Sequence, residues 1–421
     1  MAAKTRTVVY SSRKVIFNMK TEKLTVTIVG GGASAHTLIP LLSAAKYHVN
    51  LLTRKPHRWS KQVELLYQSV DGEVIERFQG QLSKISSDPK GVIDESDVII
   101  LCMPVSQYRN ALHRIASHLN PEKKVYIGTV YGQAGFNWMV DEIKSAFGLE
   151  KAITFSFGLI PWICRIQEYG QIGITYGIKP INIAAVEPKG EFDELNRIIL
   201  EKVCVGWFGK SEVRQADNFI SLTFSVDNQI IHPSRCYGLF VKHGSEWDKV
   251  EDILYFYRDF DELSADIISR LDADYSKIRE SIKEKYPDKK FTYMLDYLTL
   301  DRKTNETEEY NIAESFQLSR TLGAIKPPTV KTKAGTWKID TNHRFFTDDI
   351  HYGLCIAKWA ADRLGIDVPT IDEIIKWAQE LRQEVLIENG ELKLDSEDLS
   401  QKHKSGIPHF YGYQTIDDII D

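Results

Sequence analysis

Two stretches in the second half of the chain carry side chains suited to moving protons on a carboxylate-bearing molecule. Val226–Ser234 places His232 directly before Pro233, with Asn228 four residues earlier, and His343–Gly353 contains Arg344, Asp348 and Asp349. An imidazole gives and takes a proton near neutral pH, and a carboxylate can orient it and stabilise its charged form. A guanidinium grips a carboxylate through two parallel hydrogen bonds. Each residue also has a plain structural explanation. A His before Pro often begins a helix, Arg344 and Asp349 can form a surface ion pair, and Asp348-Asp349 can cap a helix starting near Tyr352. Residue types and spacing leave both readings open.

The first half offers a different chemistry. Thr27–Ala35 runs from an apolar strand into three glycines, and a helical pattern (Leu38, Ile39, Leu41, Leu42) follows at once. Gly30, Gly32 and Ala35 fit the G-x-G-x-x-G/A spacing of a dinucleotide fold. The first glycine permits a tight turn, the second a close backbone approach to a pyrophosphate, and the small third residue lets helix pack on strand. Free N–H groups at the helix start, over Ala33 and Ser34, then face the phosphates. The next strand ends in Thr53-Arg54-Lys55, where an acidic residue would bind the ribose of NAD. Thr53 can hydrogen-bond a phosphate oxygen and Arg54 a 2′-phosphate, so NADP is expected ahead of NAD. The plain alternative is a solvated basic loop. A later strand ends in Cys102-Met103-Pro104, where the chain should pass the nicotinamide, although the proline is also an ordinary strand terminator.

These groups need a scaffold, and the pattern supplies one. Candidate strands are Thr25–Val29, Val49–Leu52, Val98–Met103, Val125–Thr129, Ile153–Phe157 and Ile181–Ala185, with helices at Leu112–Leu119 and Trp138–Phe147. Such alternation predicts an α/β unit, a Rossmann-type doubly wound parallel sheet. Beyond Gln215 helical patterns dominate, at Lys249–Leu271, Ser276–Tyr286, Tyr352–Leu364 and Thr370–Ile387, with Ile325–Lys333 as a Pro- and Lys-rich loop. The organisation expected is an N-terminal extension over 1–22, a dinucleotide-binding unit over 23–212 and a mostly α-helical substrate unit over 213–421. The ligand cleft is expected between the last two. The extension has a candidate strand at Thr7–Tyr10 and reads as an appended segment in preference to a targeting peptide.

Composition narrows the class. With 421 residues, 43% hydrophobic, 26% charged and a net charge of −5, the chain reads as an ordinary globular protein with no nucleic-acid or membrane partner. Five scattered cysteines without a C-x-x-C pair suggest neither a metal site nor a disulfide framework, and point to a cytoplasmic setting. Asp272 and Asp274 are able to receive a basic amino acid, but a solvated helix face explains them better.

Taken together, the motifs resemble the opine dehydrogenase family, which includes the octopine and nopaline dehydrogenases. The resemblance runs from Gly30–His36 through Ile160-Pro161-Trp162-Ile163-Cys164-Arg165, Asn228 with Ile231-His232-Pro233, and Arg344–Gly353, to Phe410–Asp418. It implies an oxidoreductase that joins a 2-oxo acid to an amino acid and reduces the imine with NADH or NADPH. By the resemblance, His232 is the catalytic histidine, Asp349 its partner and Arg344 the residue near the substrate carboxylate. Cys164, Arg165 and Asn228 would lie near the substrate. The basic Thr53-Arg54-Lys55 departs from NADH-dependent invertebrate members, and no motif in Asn305–Thr341 identifies the amine pocket. A homodimer is compatible with the sequence. Two other readings stand beside this one. A 2-oxo or hydroxy acid reductase related to ketopantoate reductase would want a lysine acid, and a non-catalytic NADP-binding regulator would have no use for the His–Asp–Arg set.

Overall fold

β1 (Thr25–Gly30) is an almost fully buried run that pairs in parallel with both β2 (His48–Leu52) and β5 (Val98–Cys102). Buried on both faces, such strands read as continuous apolar runs, which is why sequence located them. Beyond β5 the sheet continues in parallel through β6 (Val125–Thr129) and β7 (Ala152–Phe157). In this computed structural model the described residues are 23–244, 246–305, 311–319, 321–394 and 405–420. The expected strand at Thr7–Tyr10 and the extension over 1–22 lie outside them.

The sheet is larger than the sequence pattern suggested. On the β2 side it is extended by β3 (Gln62–Gln68), β4 (Val74–Ser86), β8 (Trp162–Glu168) and β9 (Ile172–Ile178). On the β7 side it ends in β10 (Ile181–Glu187) and β11 (Glu212–Gln215). The order across eleven strands is β11-β10-β7-β6-β5-β1-β2-β4-β3-β9-β8. Pairings β3–β4, β8–β9 and β7–β10 are antiparallel, the others parallel. Helix α1 (Ala33–Ala44) covers one face; α2 (Tyr108–Ala116) and α3 (Phe136–Phe147) cover the other.

The longer helices of the second half, among the described residues, are α4 (Asn228–His243), α5 (Glu262–Lys285), α6 (Cys355–Leu364) and α7 (Pro369–Arg382). Their apolar faces merge with the α2–α3 face of the sheet into one continuous core. Three expectations are corrected here. Residues 249–261 do not form a long helix, and α5 is unbroken from Glu262 to Lys285 because Asp261 caps it, accepting the Ser264 N–H at 2.9 Å. The last long helix ends at Arg382, and Ile387–Glu388 pairs with Glu391–Leu392 in a small hairpin. Asp274 is buried, accepting the Thr370 and Ile371 N–H groups at the start of α7, while Asp272 holds Arg279; neither belongs to a solvated face.

Candidate active site

The glycine turn after β1 is built against β5. Gly30 has φ +110°, and a Cβ there would run into the Cys102 carbonyl, so only glycine fits. Gly32 caps α1 without any side-chain bond, leaving first-turn N–H groups for a ligand. A cleft of about 480 Å³ opens beside this turn. Gly30 to Gly32 form one wall, Thr53, Arg54 and Lys55 stand at the β2 end, and Met103 and Pro104 lie beyond β5. Among the described residues three cations (Arg54, Lys55 and Arg114) line it, and no carboxylate does. Of the residues expected at the nucleotide, Ala33 and Ser34 occupy the first turn of α1 and Ala35 is buried beneath it.

Sequence reasoning missed Tyr169, which closes the cleft from the β8–β9 connection. Its placement rests on His36. The His36 Nε2 accepts the Gly170 N–H at 2.8 Å, which leaves Nδ1–H to donate to Gly32 O at 2.9 Å. Burial pulls the His36 pKa down, so the ring stays neutral and keeps this bridge. Trp59 packs on the same ring, with centroids 4.5 Å apart.

The second group of side chains converges on α4. Asp227 caps this helix, and Asn228, half-buried, is its first residue. One turn on, His232 is 1% exposed and its Nδ1–H donates to Asp349 Oδ2 at 2.8 Å. Phe345 stacks on the imidazole at 3.8 Å between centroids. Asp349 opens a π-type bulge, with the Leu354 N–H reaching back to its carbonyl at 3.0 Å. The bulge presses on α4 so closely that a Cβ at Gly353 would sit 2.5 Å from Gln229 Cγ.

Tyr257 is the residue in this group that sequence did not reveal. Its hydroxyl lies 3.3 Å from His232 Nε2, the nitrogen left free by Asp349. It is delivered by a loop that Arg235, fully buried one turn after His232, holds by its carbonyls. The guanidinium donates to Tyr255 O (3.2 Å), Phe256 O (3.0 Å) and Asp259 O (2.7 Å).

Arg344 is exposed, and among the described residues its guanidinium has no hydrogen bond or ion pair. Its charge nevertheless acts on His232, Asp349 and Tyr257. Arg165 also acts on Tyr257, while the neighbouring Cys164 turns its thiol toward Thr37 and Ser34 of α1. Alternation along β8 thus sends the arginine toward the dyad and buries the thiol in the nucleotide unit. Burial pulls the His232 imidazole well below its ordinary pKa, and Arg344 and His343 push it the same way. Burial also drives the Asp349 carboxyl upward, opposed by Arg344. An anion resting on Arg344 would offset that positive charge and favour the imidazolium. Among the described residues no cluster of three or more His, Cys, Asp or Glu forms a metal site, and no helix is long and apolar enough to cross a membrane.

A Rossmann-type cleft joined to a helical unit with a buried His–Asp pair defines a two-part NAD(P)-dependent dehydrogenase. Residues 25–132 match the family described as NADP oxidoreductase coenzyme F420-dependent. Residues 215–382 match the α-helical domain of NAD/NADP octopine/nopaline dehydrogenase. The chain is 25% identical to an opine dehydrogenase of Haliotis discus hannai, over 95% of this chain and 99% of the relative. It is 26% identical to an octopine dehydrogenase of Mizuhopecten yessoensis, over 94% and 98%. An octopine dehydrogenase structure with NADH and L-arginine superposes with a TM-score of 0.77 at 22% identity, covering 94% of this chain and 98% of that one. Over most of its length the chain is thus similar to opine dehydrogenases, and its second half carries their α-helical domain.

Proposed function

We propose that the protein forms an opine, condensing a 2-oxo acid with the amino group of an amino acid and reducing the imine, with NADPH favoured over NADH. The carrying observation is the buried 2.8 Å pair of His232 and Asp349 beside the guanidinium of Arg344, which has no hydrogen bond or ion pair among the described residues. Arg344 binds the oxo acid's carboxylate through a two-pronged hydrogen bond and fixes its orientation. His232, held by Asp349, protonates the departing oxygen as the carbinolamine loses water. Arg165, whose charge acts on Tyr257, and Asn228, one turn before His232, would lie near the substrate. Packing of the nucleotide unit (23–212) on the helical unit (213–421) excludes water, which would otherwise hydrolyse the imine.

The glycine turn fits a dinucleotide, because a Cβ at Gly30 would strike the Cys102 carbonyl and one at Gly31 the Tyr169 hydroxyl on the cleft wall, so only bare backbone is accommodated where a pyrophosphate would approach. Gly32, Ala33 and Ser34 would hold its phosphates, Thr53 and Arg54 its adenosine end, and Met103 and Pro104 the nicotinamide side. When bound, the nucleotide supplies the hydride. The preference for NADPH is supported by the three cations, and the lack of a carboxylate, among the described residues of the cleft wall.

The test is a matrix of 2-oxo acids against amino acids, run with both NADPH and NADH. Pyruvate leads the list, since a related octopine dehydrogenase has been solved with NADH and pyruvate. Oxo acid alone should support little oxidation and added amine should increase it strongly. Equal rates with and without amine would overturn the reading and favour a simple 2-oxo acid reductase.

A further inference from the structure

Asp348 and Asp349 are neighbours in sequence but serve different halves of the molecule. Asp349 holds His232. Asp348 reaches across to the segment after β5, where Oδ2 accepts the Val105 N–H at 3.0 Å and Oδ1 the Ser106 N–H at 3.4 Å. The Thr347 hydroxyl also donates to Oδ1, at 3.3 Å. The carboxylate is 6% exposed, so water competes little with these bonds. It meets N–H groups at the start of the turn leading into α2, where an anion is favoured. The two residues it grips directly follow Met103 and Pro104 on the nucleotide cleft wall.

Simple attachment of the two units is already provided elsewhere. Trp138 Nε1 donates to Gly406 O (3.1 Å), Arg109 to Phe410 O (3.2 Å) and the Tyr413 hydroxyl to Asp141 (3.1 Å). Asp348 differs from these in standing at the reacting end. The six residues from Arg344 to Asp349 carry the carboxylate grip, the ring stacked on His232, the dyad carboxylate and this cross-unit bond. We propose that Asp348 is a positioning residue that sets the acid His232 in register with the nicotinamide-side segment Met103–Ser106. The inference rests on the imine-reducing reading of the cleft, which wild-type turnover checks separately.

The experiment uses Asp348→Asn, Asp348→Glu, Val105→Pro and the Asn/Pro double variant, assayed with pyruvate and the amine giving the fastest wild-type rate. Val105→Pro removes one N–H from the partner side, and Pro104, extended at ψ 147°, accepts a following proline. Misplaced reactants should lower kcat by about tenfold or more in Asp348→Asn and in Val105→Pro. The NADPH Kd, read by fluorescence, should stay within about twofold, because the phosphates bind elsewhere. The double variant should lose little more than the worse single one, since both remove the same contact. The deuterium isotope effect on kcat with 4-deuterated NADPH should rise, and Asp348→Glu should recover part of the rate. Unchanged kcat in both single variants, additive losses, or a fall in kcat matched by lost NADPH affinity and melting temperature would each overturn the positioning role. Absence of amine-dependent turnover in the wild type would remove both readings, whereas normal wild-type turnover with unaffected variants removes this one alone.

Discussion

Asp349→Asn separates the charge of the dyad from its geometry. The amide oxygen can still accept the His232 Nδ1–H at the 2.8 Å position, and the ring is held independently by Phe345 stacked at 3.8 Å. What disappears is the negative charge facing an imidazolium buried to 1% exposure. A charge pair at ~4 Å in an effective dielectric of ~20 is worth about 4 kcal/mol. A charge-assisted hydrogen bond is worth about 1.5–3 kcal/mol. Converting charged to neutral acceptor therefore costs about 2–4 kcal/mol, or roughly 30- to 1000-fold in the reductive kcat. The pH dependence gives the sign. Reduction needs the imidazolium, which burial and Arg344 already disfavour, and losing the carboxylate disfavours it further. The alkaline fall in kcat should thus move to lower pH in the variant, with partial recovery of rate on acidification. Initial rates of NADPH oxidation from mildly acidic to mildly alkaline pH measure both effects. A kcat within about threefold of wild type, with an unmoved pH profile, would refute the acid role of His232 and its dependence on Asp349.

Arg344→Gln should raise KM for the oxo acid by about 10- to 100-fold, the worth of a charge-assisted bond, without lowering the melting temperature, because the exposed guanidinium has no ion partner among the described residues to lose. Steady-state kinetics beside thermal denaturation tests this, and a KM that stays put defeats the assignment. Arg54→Ser should weaken NADPH by about tenfold and leave NADH nearly unchanged, since only the former has a 2′-phosphate; parallel shifts for both nucleotides would disprove the selector. Gly30→Ala should abolish fluorescence-detected NADPH binding and cost about 2 kcal/mol or more of stability, because the methyl meets backbone that cannot yield. Gly190→Ala, which has nothing within 4 Å of its Cβ, is the neutral comparison.

The parts legible in sequence are those where local chemistry and tertiary role agree. β1, β2, β5, β6 and β7 are central strands whose apolar runs advertise burial, and the glycine turn advertises its sterics. β3 and β4 went unseen because their outward residues are charged or amide-bearing, as in Gln62-Val63-Glu64 and Glu76-Arg77, and partner pairing, not composition, makes them strands. Residues 249–261 imitate a helix through the spacing of Val250, Ile253, Leu254 and Tyr257. A cation at position 235 instead claims the carbonyls of Tyr255, Phe256 and Asp259, and no window of sequence contains both ends of that bond. Tyr257 reached the dyad through this long-range contact, so its place beside His232 left no local signal. Arg344 and Asp349 were readable as residue types, but their convergence with His232 required the fold.

The manner in which Arg235 holds that loop has a consequence for divergence among such enzymes. Its three loop bonds go to main-chain oxygens, which every amino acid presents alike. As far as this anchor is concerned, the side chain of residue 255 is free to change while the loop keeps its course over His232, whereas Phe256 is buried and the Asp259 carboxylate itself accepts the Tyr255 N–H at 2.7 Å. A lineage can retune what the loop shows to an incoming amine by point substitution, without first finding a new way to fold it. The fixed element is the buried cation, and the variable one is the surface it suspends.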